Sequence, residues 1–176
     1  MVLTGPVLPL RVITFDRLTF KNKIMVARIV LFLIINFGAL AIGSALMGGG
    51  SSSDWYQSLN KAPWTPPGWV FGAAWSLIMI CLSLFMAYAW GSTGNKRFLI
   101  TIFIVQWILN VAWNPVFFRF HFVFPGLITI IALTLVVTYI FIKYLPELKL
   151  ISLLLLPYIM WLIIATSLNG YIWLRN

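Results

Sequence analysis

Trp55-Tyr56-Gln57-Ser58-Leu59-Asn60-Lys61-Ala62-Pro63-Trp64-Thr65-Pro66-Pro67-Gly68-Trp69-Val70-Phe71-Gly72 lies between two long apolar runs. Proline fixes φ and removes a donor, so this connection is stiff. Indoles favour the boundary between hydrocarbon and water. The segment therefore reads as a rigid aromatic connection beside a membrane span, suited to holding something flat.

Outward from it, the chain is lipid-compatible throughout. It has 176 residues, 62% hydrophobic and 9% charged, with a mean hydropathy of +1.01. A soluble domain carries about a quarter charged residues, and this one has too little charge to coat a water-facing globule. A membrane-crossing helix needs about 20 mostly apolar residues. Five runs meet that need, at about residues 24–47, 69–90, 98–118, 122–145 and 150–173, and none holds an acidic residue. The polar–apolar alternation of a lipid-facing β-barrel is absent. The expected fold is an all-α integral membrane protein, a five-transmembrane-helix bundle. Residues 1–23 read as a basic, poorly ordered cytoplasmic extension, residues 24–176 as the membrane domain, and residues 48–68 as a lid. The first run exceeds the 7–15 residues of a signal-peptide core, so it reads as a retained helix.

The connections agree with this division. Gly48-Gly49-Gly50-Ser51-Ser52-Ser53 is a flexible exit, and Ser53 or Asp54 suits the cap of a short turn through Leu59. Thr65 before Pro66-Pro67 suits a helix start, while Pro125 suits the start of the fourth helix and Pro146 its end. Counting Lys and Arg by alternate sides gives nine with the N-terminus and three with the aromatic connection. Positive charge is retained in the cytoplasm, which predicts a cytoplasmic N-terminus, with the lid and the C-terminus opposite.

Chemistry motifs are sparse. Cys81 is the only cysteine, His121 the only histidine, and Asp16, Asp54 and Glu147 the only acids. That excludes an intramolecular disulfide and argues against a metal site, an acid/base pair and a required cofactor. The net charge of +9 is scattered and explained by topology, so no nucleic-acid face is expected. Polar residues inside the runs are more telling. Gln106, Asn110, Trp113 and Phe117 fall within a stripe about 60° wide on one helix. Intramembrane amides need partners, so this face should point into the bundle. Two uses stand open, helix–helix hydrogen bonding or the wall of a polar pocket. Trp161, Ala165 and Asn169 form a second mixed face in the last run, and Gly72, Trp75, Ser76, Met79, Ser83 and Met86 a broad side of the second, with Gly72 and Ser76 as a small-residue seam. Pro115 and Pro157 should bend their helices. Ala39-xxx-Gly43 and Ala41-xxx-Ala45 are candidate close-packing seams between copies.

Three blocks together resemble the TspO/MBR family, the tryptophan-rich sensory and translocator proteins that include the peripheral benzodiazepine receptor. They are Trp55-Tyr56 through Trp64-Thr65-Pro66-Pro67 to Val70-Phe71-Gly72 and Trp75, then Gln106-xxx-Asn110-xx-Trp113-Asn114 with Phe117-Phe118, then Pro157-Tyr158-xx-Trp161-xxx-Ala165-Thr166-x-Leu168-Asn169. With the helix spacing they cover about residues 28–173, leaving the N-terminal extension without a counterpart. The resemblance implies a five-helix bundle, often a homodimer, whose pocket is closed by the first loop and takes porphyrins such as protoporphyrin IX. It also implies sterol or benzodiazepine-type ligands in some members. Carried over by position, the ligand-binding residues would be Tyr56, Trp64 and Pro66 in the lid, Trp75 and Met79, then Gln106, Asn110 and Trp113, then Trp161 and Ala165. Leu168-xx-Tyr171-xxx-Arg175 fits a cholesterol pattern that is too loose to carry a site. Gly170 departs from the bulkier residue expected there. Three functions follow: a tetrapyrrole receptor or transporter, light- and oxygen-dependent porphyrin breakdown, or a regulatory scaffold whose aromatic faces only pack helices.

Overall fold

A computed structural model describes residues 10–176, with side chains from residue 20 onward. Among the described residues every regular element is helical. They run α1 (Leu10–Leu46), a 3-10 turn (Gly50–Ser52), α2 (Asp54–Ser58), α3 (Gly68–Ser92) and α4 (Lys96–Asn114), which continues into a π-helical turn (Pro115–Arg119). Then come α5 (Val123–Leu148), a 3-10 segment (Lys149–Leu155) and α6 (Leu156–Arg175). The helix of α1 starts within the expected extension, and the rest of that extension, residues 1–9, lies outside the described residues.

Four stretches are long and apolar enough to cross a membrane: Phe20–Ser52, Gly68–Ser92, Lys96–Arg119 and Val123–Arg175. The last spans 53 residues. As one straight helix it would be about 80 Å long, more than twice the hydrocarbon core. It is two crossings. Lys149, at φ 49, reverses the chain between them. Phe124 meets Trp173, Gly170 lies against Leu127, and Thr134 faces Thr166, so the two arms run antiparallel. Three single crossings and this hairpin make the five-helix bundle.

Residue pairs give the register of the others. Asn36 with Ser83 and Arg28 with Gly91 place α1 antiparallel to α3. Phe32 with Phe103, Ile35 with Trp107 and Gly43 with Asn114 place α1 parallel to α4. Buried polar groups tie the helices, since hydrocarbon supplies no partners. The Asn36 amide donates to Ser83 Oγ at 2.8 Å, and Ser83 donates on to the Met79 carbonyl at 2.6 Å. Gln106 Nε2 donates to Tyr158 Oη at 2.9 Å.

Pro125 lies in the first turn of α5 and Pro66-Pro67 lead into α3, as expected, but Pro146 does not end its helix. Pro146 lies inside α5, which continues through Leu148. The helix carries on past it until Lys149, whose φ of 49 ends α5. Pro66 and Pro67 precede the first helical residue, Gly68, and the Thr65 hydroxyl turns back to the Ala62 carbonyl at 2.7 Å instead of capping α3. Pro115 cannot donate, and the ladder widens there. Phe120 N–H reaches the Pro115 carbonyl at 2.9 Å, a π-type bond.

Candidate functional site

Below the connection between α1 and α3 lies a cavity of about 280 Å³. Ala39, Leu40, Ser44 and Met47 of α1 form one wall, and Phe71, Gly72, Trp75 and Ser76 of α3 a second. Asn110, Trp113 and Asn114 of α4 form the third, and Ser51, Gly68 and Phe118 complete the lining. The chamber therefore combines two indoles with carboxamides and hydroxyls, an aromatic wall with few placed polar groups.

Each wall residue is there for a local reason. Trp113 is held by its indole N–H, which donates to Asn169 Oδ1 at 3.4 Å, while Asn169 donates to the Ala165 carbonyl at 2.9 Å. Its ring lies parallel to Phe117 at 5.8 Å. Asn114 donates to the Asn110 carbonyl at 3.2 Å and fits because Gly43 of α1 has no side chain; a Cβ there would stand 2.7 Å from Asn114 Nδ2. A Cβ on Gly72 or Gly68 would meet nothing within 4 Å, so both open onto space. In the π turn Phe117 and Phe118 are both buried.

The lid sits on that aromatic floor. Ser53 caps α2 by accepting from the Tyr56 N–H at 3.3 Å. Tyr56 is buried with its ring 5.4 Å from Phe118 and 6.3 Å from Phe117, and burial pushes its phenol above the ordinary value. Trp55 stacks on His121 at 4.1 Å, and His121 holds φ 57 in the turn before α5. Lys61 Nζ donates to the Gln57 carbonyl at 2.9 Å. At the far side Trp64 Nε1 donates to Ser167 Oγ at 3.1 Å, and the ring meets Tyr171 edge-on at 5.4 Å. The Asn60 N–H donates to Asn176 Oδ1 at 2.9 Å, and Asn176 Nδ2 returns a bond to the Asn60 carbonyl at 3.4 Å. The lid is thus fastened both to the α4–α5 turn and to the end of α6.

Of the ten residues carried over as ligand-binding, Trp75, Asn110 and Trp113 line the cavity. Tyr56 forms the underside of the lid, and Trp64 and Pro66 stand in its outer part, Trp64 being 54% exposed. Met79, Gln106, Trp161 and Ala165 are buried outside the lining. Trp161 stands behind Phe71, whose ring meets it edge-on at 5.3 Å. The amide stripe therefore divides: Gln106 bonds a neighbouring helix, while Asn110 and Trp113 wall the cavity. Gln106 Oε1 keeps no partner. The contribution of α1 went unread, because Ala39 and Gly43 look like a seam between copies. Both are buried within one copy, and the small residues left exposed on that helix include Ala41 and Ala45. Likewise Gly72 is an opening in the wall and not part of a packed seam with Ser76.

The sequence is similar to those of known proteins. The model of the TspO/MBR family matches residues 29–174. The chain is 38% identical over 128 residues to the tryptophan-rich protein TspO of Archaeoglobus fulgidus, covering 72% of this chain and 82% of that one. It is 31% identical over 129 residues to the protein CrtK of Rhodobacter capsulatus, covering 72% and 81%. It is 28% identical over 131 residues to the human translocator protein, covering 72% and 78%.

Proposed function

The chain belongs to the TspO/MBR family, and we propose that it is a membrane receptor or transporter for a flat tetrapyrrole such as protoporphyrin IX. The observation that carries this reading is the chamber beneath the lid, where Trp75 and Trp113 share walls with Asn110, Asn114 and Ser76. Indole faces suit a planar ring, and carboxamides suit its polar edges. The names of similar proteins, tryptophan-rich sensory protein and translocator protein, accord with a ligand-handling membrane role. At about 280 Å³ the chamber is just below the 300–1,000 Å³ usual for ligand pockets. Entry of a macrocycle therefore requires the lid to lift or Phe71 to swing away from Trp161. A homodimer with a cytoplasmic N-terminus completes the proposal, supported by the exposed Ala41 and Ala45 on α1 and by the nine-to-three distribution of Lys and Arg.

Titration of the detergent-solubilised protein with protoporphyrin IX in darkness should quench tryptophan emission saturably. An aromatic stacking contact is worth about 0.5–1.5 kcal/mol, so joint Trp75→Phe and Trp113→Phe substitution should move the midpoint about tenfold. A midpoint unmoved in that variant overturns the reading. The same indoles favour a second possibility, donation of electrons to an excited porphyrin with dioxygen as oxidant. Illumination then yields products that free porphyrin and unfolded protein do not give; identical products remove that possibility.

A further inference from the structure

At the opposite end of the bundle a second hollow opens sideways between α1 and α4. It holds about 400 Å³, and its walls are almost wholly apolar, with Leu31 on one side, Phe103, Ile104 and Trp107 on the other and Trp90 of α3 at the back. Among the described residues Arg28 is the single charged one lining it. The guanidinium is drawn toward the C-terminal turn of α3: a Cβ on Gly91 would stand 2.7 Å from one of its nitrogens. Among the residues whose side chains are described, 20–176, no carboxylate pairs with Arg28; the acids among them are Asp54, in the lid at the other end, and Glu147, which lines a different hollow. More positive charge stands at the same level, since Lys96 Nζ lies 5.7 Å from the Trp90 ring centre and Arg97 follows it.

We propose that this hollow binds one anionic phospholipid, its acyl chain in the slot and its phosphate on Arg28. The slot runs from Arg28 to Ile35 along α1, about 10 Å at 1.5 Å per residue, parallel to the helices and therefore to the acyl chains of a bilayer. A partly buried guanidinium with no described carboxylate beside it is free to take an anion, and its fork matches phosphate in two-bond geometry. Basic pockets between transmembrane helices recognise anionic head groups by the same means. A zwitterionic lipid brings its own cation to a site already crowded by Lys96 and Arg97, so phosphatidylglycerol should be preferred to phosphatidylcholine. The site is separate from the chamber under the lid and stands or falls independently of the porphyrin reading.

The test uses the full chain reconstituted in phosphatidylcholine vesicles containing brominated phosphatidylglycerol or, separately, brominated phosphatidylcholine. Bromine on the acyl chain quenches nearby indoles, here Trp90 and Trp107. At equal mole fraction the glycerol lipid should quench several-fold more effectively at low content. Arg28→Gln should abolish that preference, and so should Ile104→Trp, which fills the slot while keeping the cation and starts from a half-exposed position that tolerates bulk. Equal quenching by the two lipids in the unsubstituted protein overturns the proposal. So does a preference that survives both substitutions but disappears in Lys96→Gln/Arg97→Gln, which would mark diffuse attraction to the surface. Cross-linking of two copies through cysteine placed at Ile104, in vesicles rich in phosphatidylglycerol, would put a second chain in the hollow and likewise overturn it.

Discussion

Gly72 shows how much one missing side chain can do. It is helical, yet a Cβ there would meet nothing within 4 Å because the position opens into the chamber. Alanine has a better helical propensity than glycine by about 1 kcal/mol, and there is room for its methyl. Gly72→Ala should therefore raise the thermal midpoint slightly while leaving porphyrin affinity nearly intact. Gly72→Phe should keep the fold and abolish binding, because its ring would occupy the space between Trp75 and Asn110. The comparison is read by thermal unfolding and porphyrin titration on the same samples. Undiminished binding by the phenylalanine variant would show that the guest sits elsewhere. The role of this glycine was not legible beforehand, since glycine four residues before serine is equally the signature of close helix packing. Only the position of α1 relative to α3 distinguishes a seam from an opening.

At the scale of elements, the crossing of α1 over α4 depends on Gly43, where Asn114 is received. Leucine at that position must displace the Asn114 amide and break its bond to the Asn110 carbonyl. Overpacking of this kind costs about 1–3 kcal/mol. Gly43→Leu should lower the unfolding midpoint in detergent and loosen the cavity wall, with Gly43→Ala between it and the native chain; an unchanged midpoint would mean that the helices do not cross there. Long apolar runs made the crossings readable from the residues, and the positions of Trp55 and Tyr56 marked the connection as more than a linker. The π turn was not readable. Pro115 announces a disturbance, but a kink, a break and a widened turn all begin with the same missing donor. Which of them forms depends on Phe117 and Phe118 finding places beside Tyr56 and Trp113, and the Tyr56 contact comes from a distant part of the chain, the lid.

For the whole molecule, one side of the bundle holds the clasped lid and the other the turns near Arg28, Asn95 and Lys149, so the two hollows face different surfaces of the membrane. Pocket residues inferred by family position divide between chamber, lid and core, with Phe71 standing between the chamber and Trp161. The reversal at Lys149 has a further consequence, for biogenesis. From Val123 to Arg175 the polypeptide presents 53 residues with helical structure on both sides of a single reversing position. The insertion machinery meets no extended loop at which to sort one arm from the other, so the orientation of α5 also decides that of α6. In a Cys81→Ser background, cysteines at His121 and Asn176 should therefore react with an impermeant maleimide from the same face of sealed vesicles. That agreement should persist when three lysines are appended beyond Asn176, and labelling from opposite faces would refute the coupling. The positive charges that set topology then act on a hairpin as one decision, leaving the last crossing no independent vote.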